Sequence, residues 1–303
     1  MKNFNNLTVV IVTYKTNKKI LINCLKSIDE RISVKIVENS KKFKDKKLIS
    51  KKFRNTQIVC TGKNLGYGSG NNFGLRLVTT DYALILNPDI ECDKDFFINI
   101  RKIIKMKKNF TIIGTHSIND NIFMPAGFFN INKNNLYRKN FFITKQKPLT
   151  PVDWVVGCSM MVNLKKFKSK NIFDKKFFLY FEELDLCKYV LQNKGKIFSS
   201  SMLKVHHLGF QSSLASNKKF VSEANNLRNW HWMWSSFYYY KKNYNYFYAV
   251  FKTISKFIKS FFKILFYTIC FDNKNRNKYL YRFLGLLNSM IGKKSYFRGK
   301  SFN

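Results

Sequence analysis

The sequence predicts an open, mostly parallel α/β sheet flanked by helices, followed by a helical C-terminal extension. Three observations carry that expectation. Short β-branched runs alternate with helical apolar patterns from Leu7 to Gly114, the mark of strand–helix–strand units. Polar clusters containing Glu38, Asn64 and Asp89 stand just past three of those runs, where open sheets bind ligands. Beyond residue 215 the strand pattern stops and aromatic, basic helical segments take over. The expected division is a ligand-binding and catalytic domain over 1–215 and a helical region over 216–303.

Leu7 to Thr13 reads LTVVIVT, a buried parallel strand. Leu21, Leu25, Ile28 and Ile32 then mark one face of a helix. Val34–Val37 and Ile58–Cys60 are further strands, separated by a very basic stretch that reads as an exposed helix. The glycine-rich stretch 64–74 reads as a flexible turn opening a helix that runs to Val78. Tyr82–Leu86 is a fourth strand, Phe96–Met106 a helix and Phe110–Gly114 another strand. Residues 115–150 have weak periodicity and read as a variable loop or hairpin. Asp153–Val162 returns to strand character, Ile197–Ser200 is a short strand, and Leu203–Gly209 closes the first domain. Ser222–Lys242 is helical and holds Trp230, Trp232 and Trp234.

The middle of the chain turns on one junction. Phe177, Phe178, Leu179, Tyr180 and Phe181 run directly into Glu182, Glu183 and Asp185, at the start of a helix marked by Leu184, Cys187, Val190 and Leu191. Acids on a first turn satisfy free backbone N–H groups and the helix dipole. The alternative is a carboxylate at the mouth of a site, placed to accept a proton.

The chain has 303 residues, with Lys+Arg 55 against Asp+Glu 17 for a net charge of +38. Such a surface attracts phosphate, in nucleotide, anionic lipid or nucleic acid. The basic residues are spread over the whole chain, which disfavours a nucleic-acid reading. Six cysteines at 24, 60, 92, 158, 187 and 270 form no CxxC pair, so reduced thiols are expected and a zinc site is not. Met1–Thr8 carries no apolar signal core, and the expected location is cytoplasmic. Residues 246–271 form a basic amphipathic pattern, with Lys252, Lys256, Lys259 and Lys263 at helical spacing among aromatic and aliphatic residues. Two readings stand: a helix docked on the protein core, or one lying on an anionic membrane surface at the inner face of the cell membrane.

Several motifs could carry chemistry. The glycines at 66–74 fit neither a Walker loop nor a dinucleotide fingerprint, but Asn64, Asn71 and Asn72 there offer neutral hydrogen-bonding groups. Asn87-Pro88-Asp89 places one carboxylate at a strand end. That is either a turn residue or a ligand for Mg²⁺ or Mn²⁺ on a diphosphate. His206 and His207 are either a loop feature or the completion of such a shell.

In order, the pieces are strand–VTY, strand–ENS, NLGYGSGNNFG, strand–LNPD, WVVGCSMMV, FFLYFEELDLC and VHHLGFQSS. Over residues 7–240 they resemble the family 2 glycosyltransferases, in particular the rhamnosyltransferase-like members. The resemblance implies a GT-A fold, a nucleotide-diphosphate sugar donor, a divalent cation (Mg²⁺ or Mn²⁺) and inversion at the anomeric carbon. It also implies a glycan or lipid-linked glycan acceptor, in cell-surface polysaccharide synthesis. Carried over residue by residue, it puts Thr13, Tyr14, Glu38, Asn64, Gly66, Asn71, Asn87 and Asp89 on the donor side. Glu38 stands where the family usually has Asp, and Asn87 replaces the first Asp of the DxD motif, leaving Asp89 to hold the metal. Trp154, Gly157, Glu182 and Asp185 fall on the acceptor side, Glu183 in the place of the general base. His206 matches the late histidine that can ligate the metal, with His207 the second choice. The competing readings are a basic nucleic-acid-binding protein and a transferase-like scaffold without activity.

Overall fold

The computed structural model describes residues 6–106, 109–117, 126–130, 133, 148–207 and 218–298. Strand β1 (Leu7–Thr13) lies in the interior of a 9-stranded sheet. Its neighbours are β2 (Ser33–Glu38) and β4 (Tyr82–Leu86), both parallel to it, and β3 (Thr56–Cys60) lies parallel to β2 beyond. The helices α1 (Lys18–Lys26), α2 (Lys46–Lys52) and α3 (Tyr67–Arg76) make the crossovers. Past β4 the chain forms β5 (Ile90–Cys92), α4 (Phe96–Met106) and β6 (Ile112–Ser117). Then come β7 (Ala126–Gly127), β8 (Thr150–Pro151), β9 (Trp154–Val155) and β10 (Ser159–Asn163). Helix α5 (Glu182–Gln192) and the long strand β11 (Ile197–His207) complete the α/β part.

The main sheet runs β3-β2-β1-β4-β10-β6-β11-β5, with β8 paired to β11. Strands β1, β2, β3, β4, β6 and β11 share one direction, whereas β10, β5 and β8 oppose it. Both faces are covered, as a largely parallel sheet requires. The period of two along β1 shows this. Leu7, Val9 and Ile11 enter one core cluster with Leu21 and Ile100, while Val10 enters the other with Leu75, Ile85 and Leu186.

Four sequence expectations change in detail. The glycine-rich stretch is itself helix from Tyr67 onward, not a flexible turn. Its glycines let α3 settle onto β1: a Cβ at Gly70 would stand 2.8 Å from Val12 Cγ1, and one at Gly74 2.5 Å from Val10 Cγ1. Close packing thus overrides the poor helix propensity of glycine. The single strand expected over 153–162 is two short strands, β9 and β10, interrupted around Gly157. The short strand expected over 197–200 runs on to His207, with an irregularity in pairing between Ser199 and Lys204. The strand expected over 110–114 begins at Ile112 and continues to Ser117. Most of the loop expected over 115–150, and Leu208–Ser213 of the last motif, lie outside the described residues.

Among the described residues the C-terminal part contains the helices α6 (Lys218–Asn243), α7 (Tyr246–Ile269) and α8 (Asn273–Met290). Helix α8 lies inside the helical region expected over 216–303 but was not singled out there. It crosses α6 where Gly285 meets the main chain of Trp230, so closely that a Cβ would stand 2.2 Å from the Trp230 carbonyl oxygen. The Trp234 indole donates to the Lys293 carbonyl at 2.9 Å and the Ser289 hydroxyl to the Trp234 carbonyl at 2.9 Å. Among the described residues no helix is long and apolar enough to cross a membrane.

Candidate active site

A cavity of about 300 Å³ opens beyond the carboxyl ends of β1 and β4. Its walls come from distant segments: Thr13 and Tyr14 after β1, Asn39 after β2, Asn64, Gly66 and Tyr67 before and at the start of α3, and Asn87, Pro88 and Asp89 after β4. Phe178, Leu179 and Tyr180, His207 at the end of β11, and Ala224, Leu227 and Arg228 of α6 close it. A second cavity shares Tyr14 and Asn64 with the first and is lined by Glu38 and by Lys15, Lys41, Lys42, Lys44 and Lys63.

The floor is shaped by side chains that hold backbone. Glu38 is buried and accepts from the Thr13 hydroxyl at 2.7 Å, the Lys15 main-chain N–H at 3.1 Å and the Ser40 hydroxyl at 2.6 Å. It therefore fixes the turn after β1. Asn39 does the same for the segment before α3. Its amide donates to the Gly66 carbonyl at 2.9 Å, and its oxygen accepts from the Leu65 N–H at 3.1 Å. Gly66 has φ +84°, and a Cβ there would stand 2.2 Å from the Phe178 carbonyl oxygen. The next N–H, of Tyr67, donates to that same carbonyl at 2.9 Å. Only glycine meets both demands.

Asp89 is 1% exposed, and its Oδ1 is buried without a partner among the described residues. Its Oδ2 lies 3.6 Å from Nε2 of His207, too far for a hydrogen bond. Ligands each about 2.1 Å from one ion commonly stand roughly 3 to 4 Å apart, so the pair fits a divalent cation. No group of three or more His, Cys, Asp or Glu suited to a metal occurs among the described residues. The remaining partners of such an ion would have to be ligand oxygens and water, which is how Mg²⁺ and Mn²⁺ sit on a diphosphate. Of the two histidines it is His207, the second choice from sequence, that lines the cavity and approaches Asp89. Successive residues of a strand point to opposite faces, and the face of β11 turned to Asp89 carries His207.

The acidic turn lies on the other side of Cys158. Tyr180 and Phe181 hold φ +70° and +68°, a left-handed pair that costs bulky residues roughly 1–3 kcal/mol each. Helix α6 clamps it. Trp232 packs on both rings, with centroids at 5.2 and 5.3 Å, and the Ser235 hydroxyl donates to the Leu179 carbonyl at 2.9 Å. Glu182 and Glu183 follow on the first turn of α5. Glu182 is buried with its Oε2 unpartnered among the described residues, and Glu183 is half-buried. Burial, and then the charge of Glu183, raise Glu182 well above the usual carboxylate range; burial also raises Glu183. A Cβ at Gly157 would stand 3.2 Å from that of Glu183 and 3.4 Å from the Tyr67 hydroxyl, which donates to the Gly157 carbonyl. Glu183 thus stands beside Gly157, next to Tyr67 of the first cavity, and does not itself line that cavity. Cys158 links the two acidic regions. Its carbonyl accepts from Asn87 N–H at 2.8 Å, and its thiol is pushed up to about 12 by burial and by the charges of Asp89 and Glu183.

Not every expected residue comes to the cavities. Asn71 is buried in α3 and donates to the Tyr67 carbonyl at 3.1 Å. Trp154 is half-buried in β9, packed on the core beneath α5. Asp185 accepts from Lys242 Nζ at 2.6 Å and the Asn243 amide at 2.9 Å. It ties α5 to α6, which corrects its acceptor-side placement. Conversely, the cavity walls include Tyr67, Tyr180, Leu227 and Arg228, which the sequence did not single out. Tyr67 and Tyr180 lie inside motifs already read. A lone Arg228 carries no signal among 55 basic residues.

The family glycosyl transferase family 2 matches residues 8–169, more than half of the chain. The chain belongs to glycosyl transferase family 2. This transferase is 28% identical over 197 residues to the low-salt glycan biosynthesis hexosyltransferase Agl10 of Haloferax volcanii, covering 60% of the chain and 61% of that relative. It is also 28% identical over 194 residues to the rhamnosyltransferase WbbL of Escherichia coli, covering 56% of the chain and 70% of that relative. The transferase therefore spans less than two thirds of the length of Agl10. Among solved structures it resembles GalNAc-T7 with UDP, GalNAc and Mn²⁺, at TM-score 0.54, 11% identity and 78% of this chain against 50% of that one. It also resembles Staphylococcus aureus TarS 1–349 in complex with UDP-GlcNAc, at TM-score 0.51, 12% identity, 95% of this chain and 92% of that one. These likenesses show a GT-A-type fold for the transferase.

Proposed function

We propose that this family 2 glycosyl transferase moves a sugar from a nucleotide-diphosphate donor to a hydroxyl of a glycan or glycolipid acceptor, inverting the anomeric carbon. The observation that carries the reading is the buried, unpartnered Oδ1 of Asp89 beside His207, in a cavity at the strand ends. A burial cost of that kind persists where a ligand relieves it. Hexosyl and rhamnosyl transfer by the relatives, and the nucleotide and Mn²⁺ in the structural neighbours, support the same class of donor.

Asp89 and His207 would hold a divalent cation, which when bound neutralises charge on the diphosphate leaving group. Arg228 in the first cavity and the lysines of the second add fixed positive charge toward the same phosphates. The Thr13–Tyr14 turn and the Asn64–Gly66 segment shape the nucleoside side. Glu183 accepts the proton of the acceptor hydroxyl as its oxygen bonds to the anomeric carbon and the bond to the departing phosphate oxygen breaks. A carboxylate raised by burial is a stronger base than a solvated one, which suits that task. Glu182, one residue earlier, is raised by burial and by the charge of Glu183, so it holds its own proton the more readily and leaves the charge to Glu183.

The test is a thermal-shift and turnover screen of nucleotide sugars, each with and without Mn²⁺. Stabilisation by one donor class that depends on metal, followed by release of nucleoside diphosphate, is the expected result. Failure of every nucleotide sugar to stabilise or turn over, with or without metal, would overturn the reading.

A further inference from the structure

Helix α7 is amphipathic in the wrong sense for a protein surrounded only by water. Its outward face carries Phe247, Phe251, Ile258, Phe262, Leu265 and Ile269, each between 48 and 83% exposed. Its inward face carries Ala249, Thr253 and Ser260, all buried. The two hydroxyls are satisfied within the helix itself, donating to the Ala249 and Lys256 carbonyls at 2.7 Å. Core contact is instead made by the edge toward α8, where Phe257 stacks on Phe283 with centroids 4.4 Å apart. Folding thus left the large apolar side chains outside, although small ones were available for the surface.

Charge selects the occupant of that face. Lys252, Lys256, Lys259 and Lys263 fall at helical spacing on one flank of the apolar strip. The strip continues past the helix end at Phe271, which is 90% exposed. A continuous apolar face of this size marks an interaction site. Docking of a second copy would bring together two chains of net charge +38, which opposes association. Spanning a bilayer is not available to this helix. An apolar strip about 36 Å long, edged with lysines, matches a helix lying in the headgroup region with its large side chains among acyl chains.

The geometry points to α7 as a docking surface for an anionic lipid bilayer, bound parallel to the membrane plane. The inference is independent of the sugar-transfer reading, because neither donor nor cation is needed for it. The full chain is tested by flotation with vesicles of phosphatidylglycerol and phosphatidylcholine, and with phosphatidylcholine alone. It should float with the anionic vesicles, release at high salt, and bind the neutral ones at least about tenfold more weakly. The triple variant Phe251→Glu, Ile258→Glu, Phe262→Glu should lose binding about tenfold or more with an unchanged melting temperature. Lys256→Glu with Lys259→Glu gives a second reading should the triple variant misfold, and should weaken binding to the anionic vesicles alone. Absence of flotation, or flotation unaffected by both variants, would overturn the inference. So would a lipid-free dimer that the apolar substitutions dissociate, since the face would then belong to a second copy.

Discussion

Oδ2 of Asp89 and Nε2 of His207 face each other at 3.6 Å across a cavity wall, while Oδ1 of Asp89 is buried with no partner among the described residues. Residues 118 positions apart in the chain are brought together because β5, which follows Asp89 directly, pairs antiparallel with β11. In that ladder His207 sits opposite Ile90 and His206 opposite Glu91.

That contact separates the two histidines experimentally. His207→Ala should weaken Mn²⁺-dependent stabilisation by nucleoside diphosphate about 10- to 100-fold, and His206→Ala should leave it near the wild-type value. Titration of Mn²⁺ at fixed nucleotide measures both. The opposite ranking would return the ligand role to His206.

Glu182 should be a stability cost at neutral pH. Burial, then the neighbouring charge of Glu183, raises its pKa well above normal. A raised carboxyl favours the fold fully below the usual carboxylate pKa, and that contribution is lost as pH rises through the folded value. Glu182→Gln should therefore raise the melting temperature by about 2–4 °C at neutral pH. The gain should shrink toward zero below about pH 4. A gain that does not change with pH would exclude ionisation of Glu182 as its cause.

Gly66 and Gly62 share a positive φ, at +84° and +81°, but not their surroundings. Nothing lies within 4 Å of a Cβ at Gly62, so Gly62→Ala should cost only backbone strain, about 1–2 kcal/mol. Gly66→Ala also drives a methyl into the Phe178 carbonyl and should cost about 3 kcal/mol or more. Urea unfolding of the two variants gives the comparison; equal costs would mean that Phe178 moves aside freely.

Asp185 is expected to act in stability alone. Asp185→Asn should lose about 1–3 kcal/mol by weakening the Lys242 contact, with the donor KM unchanged. A raised KM for donor or acceptor at full stability would restore a site role to this residue.

Much of the architecture was legible because strand and helix periods are strong signals. Tyr82–Leu86 and Phe96–Met106 fall where the pattern places them. The exceptions are places where packing overrides local preference. Gly68, Gly70 and Gly74 lie inside a helix because β1 comes too close for side chains at Gly70 and Gly74. Helix α8 was hidden because its first turns are Asn, Lys and Arg and its middle holds Gly285, needed against Trp230. At the site, motif order placed Asp89, Asn64 and Gly66 at the cavity. It could not choose between adjacent histidines, of which His207 lines the cavity and approaches Asp89. Nor could it see that Asp185 faces Lys242, since that contact depends on how α6 crosses α5.

The most direct measurement compares Asp89→Asn and Glu183→Gln in a thermal-shift titration with nucleoside diphosphate and Mn²⁺, together with turnover of the identified donor. The cation site and the proton acceptor should separate. Glu183→Gln should keep metal-dependent stabilisation while turnover falls about 10²- to 10⁴-fold, and Asp89→Asn should lose the stabilisation itself. Wild-type turnover in Glu183→Gln, or undiminished metal-dependent binding in Asp89→Asn, would contradict it.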